Sequence, residues 1–264
     1  PPPPPPPPPR FSSRRRHTRS CLKSRGLGDV YKRQIQNRFM RFLVIEGLDG
    51  SGKSTQLKLL REYLDQSSIP YRYLHFPRLE VGVYGDLIAR FLRGEMGAND
   101  QVDPYLVALI FAGDRSDASS QIRQWMDQGN LVIVDRYVYS NIAFQCAKLS
   151  NQNQREGLRD WILEFEFGYN KLPKPDLNLF LDVPFDFTRK QLNMARNGDD
   201  RAYLKGERDI HEENLDFQEQ VRQEYLSLQE HVNDLKIIDC IDADGKMLSP
   251  GIISNLLIKE MELL

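Results

Sequence analysis

The sequence predicts an α/β fold built on one parallel sheet with helices on both faces. Three observations carry that reading. Short apolar runs recur along the chain, amphipathic stretches of helical period separate them, and glycine-rich or charged motifs sit where the runs end. With 264 residues, 40% of them apolar, the chain can bury one sizeable core.

The elements follow in order. Residues 42–46 (FLVIE) are a buried strand ending in glycine. A helix starts at Gly52 with Leu57, Leu60 and Leu64 on one face, and residues 67–70 break it. Residues 71–76 form a second strand, stopped by Pro77. Residues 85–92 are a short helix. Asp103 caps the next, with Pro104 in its first turn, and Gly129 ends it. Residues 131–134 are a third strand, ending at Asp135. Helices are expected over 140–149 and 155–167, and a proline-stiffened loop at 172–176 leads into a strand over 177–183. A helix over 185–195 is broken at Asn197-Gly198-Asp199-Asp200. A longer one over 212–233 places Val221, Tyr225, Leu228 and Val232 on one side. The last strand covers 236–241, and Ser249-Pro250 opens the last helix. Five strands result, and ligands of such folds sit beyond the strands' carboxyl ends.

Residues 1–39 stand apart. Nine prolines are followed by an Arg- and Ser-rich stretch without apolar periodicity, so this Pro/Arg-rich leader is expected to be non-native or disordered, and Met40 to be the natural start. A transit peptide and a basic nucleic-acid or membrane arm are the competing readings. The leader holds ten basic residues and one acidic residue, which leaves residues 40–264 with a charge of about −10. A body so acidic is a poor match for a nucleic acid polymer. No apolar run is long enough to cross a bilayer. The three scattered cysteines show no metal-ligand spacing, which suits a reducing cytoplasm.

Gly47-Leu-Asp-Gly-Ser-Gly52-Lys53-Ser54 matches the phosphate-loop pattern G-x-x-x-x-G-K-[ST], between a strand and a helix. Glycines let the loop backbone wrap a phosphate, and the helix N-terminus faces the anion. Lys53 is expected to bridge β- and γ-phosphates, and Ser54 to ligate Mg²⁺. The third strand ends in Asp135-Arg136-Tyr137. Its acid can face Mg²⁺ and its arginine clamp a second phosphate, or the two can be a strand-end ion pair. The second strand ends in Phe76-Pro77-Arg78. Two strand-end arginines point to an acceptor that is itself an anion, needing charge neutralisation and no general base. His75, His211 and His231 have no informative partners and are read as uninvolved.

With residues 46–56 (EGLDGSGKSTQ), 76–78 (FPR), 109–115 (LIFAGDR), 135–140 (DRYVYS), 143–145 (AFQ), 172–176 (LPKPD) and 181–182 (LD) in this order, the chain resembles the thymidylate kinase family, bacterial members most closely. The resemblance covers nearly all of residues 40–264. It implies a three-layer P-loop fold with a short helical lid, and transfer of a phosphoryl group from MgATP to dTMP. By that resemblance Gly47, Asp49, Gly50, Ser51, Gly52, Lys53, Ser54 and Thr55 bind ATP, and Ser54 and Asp135 hold Mg²⁺. Asp49 also matches the acid that holds the acceptor's 3′-hydroxyl; read alone it is a loop-stabilising carboxylate. Phe111 matches the aromatic that stacks on thymine, and Arg115, at i+4 on the same helix face, the residue that meets its O4. Read alone, Phe111 is core. Phe144 and Gln145 match positions over base and sugar, and Arg78 and Arg136, flanked by Phe76 and Tyr137, match the acceptor-phosphate ligands.

Lys53 and Arg136 are the catalytic residues so implied, together with a lid arginine. Gly50 follows Asp49 where some members carry an arginine, so that charge is expected from Arg196 or Arg201. The resemblance also implies a homodimer packed through helices, with residues 105–111 a candidate face. Three alternatives remain: a kinase of another nucleoside monophosphate, a deoxynucleoside kinase, and a nucleotide-binding regulator without turnover.

Overall fold

The computed structural model describes residues 40–193, 210–211 and 215–262. Residues 40–264 form one compact unit. Its sheet is wholly parallel: β1 (Phe42–Gly47), β2 (Tyr71–His75), β3 (Leu131–Asp135), β4 (Leu177–Asp182) and β5 (Leu235–Asp239), in the order β2-β3-β1-β4-β5. The five strands fall within a residue or two of where the sequence placed them.

Strand residues point alternately to the two faces, and both faces are covered. Phe42, Val44, Val132, Val134 and Phe180 join one core cluster. Leu43, Ile45, Ile133, Leu179 and Leu181 join another. The first cluster is roofed by α3 (Pro104–Asp127), α4 (Val138–Cys146), α5 (Gln152–Leu163) and α7 (Leu215–Leu228). The second is roofed by α1 (Lys53–Gln66) and α8 (Pro250–Glu262). A third, smaller cluster joins α2 (Gly82–Leu92) to α3 through Ile88, Phe91, Leu92 and Val107. The remaining described helix is α6 (Phe185–Asn193).

Asp103 caps α3 as expected, its Oδ1 accepting the Tyr105 and Leu106 N–H groups at 2.8 and 3.3 Å. Several helix ends differ from the sequence reading; the helix expected over 212–233, for example, stops at Leu228, and two of the differences bear on the site. α4 begins at Val138, because the β3–α4 turn is completed by Arg136 in a left-handed conformation, φ +66°. The expected helix over 155–167 passes at Glu164–Tyr169 into a π turn. Outside that turn Trp161, Phe165 and Tyr169 stack face to face at 5.1 and 5.6 Å. Inside it, Glu166 is wholly buried.

α2 lies hard against the turn that follows β2. A methyl group on Gly85 would run into the main-chain carbonyls of Arg78 and Leu79, and backbone cannot swing aside. Gly251, at the start of α8, has open space around it. Gly85→Ala is therefore expected to destabilise by about 1–3 kcal/mol, while Gly251→Ala is neutral or stabilises by up to about 0.5 kcal/mol. Thermal unfolding should show a drop of several degrees for the first variant and none for the second.

Candidate active site

The P-loop leaves β1 at Gly47 and turns through Gly50 and Gly52, both at positive φ (+77° and +86°). A side chain at either would be strained. α1 then starts at Lys53 with no side chain capping its N-terminus, so its first N–H groups remain available to an anion. Lys53 folds back over the loop and donates to the Gly47 and Leu48 carbonyls at 3.1 and 2.9 Å. Burial lowers its pKa to about 8.

The loop forms one wall of a cleft of about 760 Å³ beyond the carboxyl ends of β1 and β3. Asp49, Gly50, Ser51, Gly52, Lys53, Ser54 and Thr55 all line it. Gly47 does not; it is needed because a methyl there would meet Ser51 Oγ at 2.6 Å.

At the end of β3, Asp135 is buried and His75 Nδ1 lies 3.1 Å from its Oδ2, while its Oδ1 is buried without a hydrogen-bond partner. Burial opposes its ionisation, but the His75 hydrogen bond and the Lys53 charge outweigh that and hold it below the usual carboxylate range. Arg136 is pinned on every side. Its N–H donates to the Ile45 carbonyl at 3.0 Å, its Nη2 to Asp49 Oδ1 at 2.7 Å, and its guanidinium lies 5.1 Å from the centre of the Phe144 ring. Behind the turn stands Glu46, with no exposure. It accepts from the Tyr137 N–H (3.0 Å), the Ser140 hydroxyl (2.5 Å) and the Tyr225 hydroxyl (2.8 Å), and burial raises its pKa. Burial would also raise Asp49, but Arg136, then Lys53 and His211, together with a Gln218 hydrogen bond, draw it down to about 2.

The far wall is built by α3 and α4. Phe111, Arg115, Asn141, Phe144 and Gln145 line it together. Arg115 is among the most deeply buried side chains, and Glu166 explains how: Nε and Nη2 donate to its two oxygens at 2.5 and 2.6 Å. Asn141 donates through Nδ2 to Glu166 Oε1 at 2.9 Å and to the Ala108 carbonyl at 3.0 Å, leaving Oδ1 buried with no partner. Gln145 Oε1 is also buried and unpartnered.

Most residues singled out from the sequence thus meet in one cleft, Phe76 included. Three do not line it. Besides Gly47, Tyr137 is a core residue with no exposure, packed on Phe42 and Phe76, its hydroxyl donating to the Pro173 carbonyl at 3.2 Å. Arg78 is engaged by Asp114, 36 residues on, through Nε to Oδ1 and Nη2 to the main-chain carbonyl, each at 2.8 Å. Arg196 and Arg201 lie outside the described residues. Asn141 was missed, although it precedes Gln145 by one helical turn. His75 and His211, read as uninvolved, both line the cleft.

A family model described as thymidylate kinase matches residues 45–243. A thymidylate kinase of Plasmodium falciparum is 34% identical over 151 residues, 57% of this chain and 65% of that protein. A probable thymidylate kinase of Thermococcus kodakarensis is 32% identical over 208 residues, 76% of this chain and 90% of that protein. One of Pyrococcus horikoshii is 29% identical over 204 residues, 76% of this chain and 89% of that protein. The chain therefore spans just under two thirds of the first relative and about nine tenths of the archaeal ones. The solved structure of a thymidylate kinase from Candida albicans superimposes with a TM-score of 0.62 at 26% identity, covering 85% of this chain and 92% of that one.

The Asp49–Arg136 pair carries a pH signature. Asp49 titrates near 2 in the folded chain against 3.8 for a free carboxyl. Its stabilisation is complete above the free value and is lost as pH falls through the folded one. Asp49→Asn is expected to be less stable than the wild type by about 2 kcal/mol at pH 7, and the gap should close as pH falls from 5 toward 2. Urea unfolding at pH 7, 4 and 3 measures it; a constant gap would mean the pair is not its source.

Proposed function

The chain belongs to the thymidylate kinase family, transferases that use ATP to phosphorylate dTMP, and we propose that the cleft seats the ATP phosphates on the loop wall and dTMP on the α3–α4 wall. The observation that carries this division is the position of Arg136. It lies between the P-loop, through Asp49, and the aromatic wall, through Phe144. A cation there is placed to neutralise the phosphoryl group as it passes from donor to acceptor, which is the main demand of this reaction.

Lys53 exchanges its two carbonyl partners for the β- and γ-phosphate oxygens, and the α1 N–H groups complete the cradle. The residues present also fit a magnesium ion. Ser54 offers an exposed hydroxyl at the head of α1, and Asp135 an ionised carboxylate with one unpartnered oxygen. Among the described residues no three His, Cys, Asp or Glu side chains cluster as a metal cage. Magnesium bound with nucleotide uses one or two protein ligands and substrate phosphates, so none is needed. Asp49, held ionised, is placed to accept the acceptor's 3′-hydroxyl. Phe111 stacks on the base, and Arg115 with Asn141 reads its edge. Arg78 acts one step removed, fixing the turn that carries Phe76. Arg196 or Arg201 supplies the lid charge, because Gly50 leaves none in the loop.

Tyr105, Leu106 and Leu109 on α3 are exposed and apolar, which supports a homodimer packed through that helix. No helix among the described residues is long and apolar enough to cross a membrane. The buried free thiols Cys146 and Cys240 fit a cytosolic enzyme.

Coupled ADP release with MgATP and dTMP, dUMP, UMP, dCMP, AMP and thymidine tests the reading. Strong preference for dTMP is expected, and turnover of thymidine but not dTMP would overturn it. Arg136→Ala should lower kcat/KM for dTMP by about 10²–10³-fold. Arg78→Ala should cost less activity and more stability. Equal losses of activity in the two would put Arg78 in contact with substrate.

A further inference from the structure

Glu166 touches no part of the cleft directly, yet it holds two residues that line it. It takes two of Arg115's five N–H groups and one of Asn141's two. The second Asn141 N–H goes to the Ala108 carbonyl. All of these partners are acceptors only, so the Asn141 amide cannot turn over without setting its oxygen against two others. Asn141 Oδ1 is thereby left as a buried acceptor without a partner, on a residue that lines the cleft together with Arg115. We infer that Glu166 is a positioning residue that fixes this donor–acceptor pair and so makes the cleft select a thymine or uracil edge against a cytosine edge. The inference rests on the seating of dTMP proposed above.

The chemistry is complementary at both atoms. Thymine presents an accepting O4 beside a donating N3–H. Cytosine presents a donating amino group beside an accepting N3. In this cleft cytosine would set donor against Arg115 and acceptor against Asn141 Oδ1. Buried polar groups left opposed in this way reject a ligand by about 10³-fold or more. The π turn at Glu164–Tyr169 is what carries Glu166 inward while Phe165 and Tyr169 stay in the outer aromatic stack. No other described acidic side chain pairs with Arg115.

Glu166→Gln and Glu166→Asp separate polarity from packing. Gln keeps the shape but presents one acceptor and one donor, which releases the Asn141 amide. Asp keeps both acceptors. For each folded protein, kcat/KM for dTMP and for dCMP and KM for ATP are measured at saturating magnesium. The dTMP-to-dCMP ratio is expected to fall at least about 10-fold in Glu166→Gln. It should stay within about 3-fold of wild type in Glu166→Asp, whose KM for dTMP rises while its KM for ATP does not. A folded Glu166→Gln with the wild-type ratio overturns the inference. If that variant does not accumulate folded, Glu166→Asp decides alone: a retained ratio with raised dTMP KM supports it, and a collapsed ratio overturns it. Wild-type protein that fails to prefer dTMP over dCMP would instead overturn the seating of dTMP.

Discussion

The cleft depends on one buried carboxylate. Glu46 sits on a central strand with no exposure, where an uncompensated charge would cost several kcal/mol. It is compensated by donors from three places: the turn after β3, the first turns of α4, and Tyr225 of α7. Those donors exist in that arrangement because Arg136 takes a left-handed conformation, itself held by the Ile45 carbonyl. Such a conformation persists only where surroundings over-determine it. Here they do, and the result is a guanidinium fixed between the P-loop and the aromatic wall. Strand, turn and helix are braced from behind, so the exposed face of the site need not brace itself.

The same economy governs the charges facing the cleft. Lys53, Asp49, Asp135 and Arg136 bring opposite charges together, and the two carboxylates and Arg136 are held ionised by their neighbours. Asp49 and Asp135 stay charged despite burial, and Arg136 is held more firmly protonated than a free arginine. Fixed opposite charges of this kind need little reorganisation when a polyphosphate arrives, which is where much of the catalytic advantage of such sites originates.

Local signals made the frame legible. Five apolar strands, the α3 cap at Asp103 and the phosphate loop each rest on residues adjacent in sequence, and each was found within a residue or two. What stayed hidden was carried by distant pairs. Nothing around Arg78 announces Asp114, and nothing around Arg115 announces Glu166, 51 residues later. Tyr137 shares a motif with Asp135 and Arg136, yet strand-end geometry sends it into the core. The π turn escaped for a related reason: an extra residue inside a helical stretch leaves the apolar period nearly intact. His75 and His211 carry no mark of the cleft in their sequence neighbours; only the fold brings them to it.

Lys53 has one further consequence. Burial lowers the pKa of its ammonium to about 8, and among the described residues its hydrogen-bond partners are two carbonyl dipoles. In the proposed seating a polyphosphate beside it would favour the charged form, and near that pH the protein would take up a fraction of a proton as nucleotide binds. Nucleotide affinity is then coupled to hydrogen-ion activity. It weakens as the solution becomes alkaline, and the observed heat of binding depends on the ionisation enthalpy of the buffer that supplies the proton. In the proposed seating, the lysine that meets the phosphate also gives the cleft an upper pH limit.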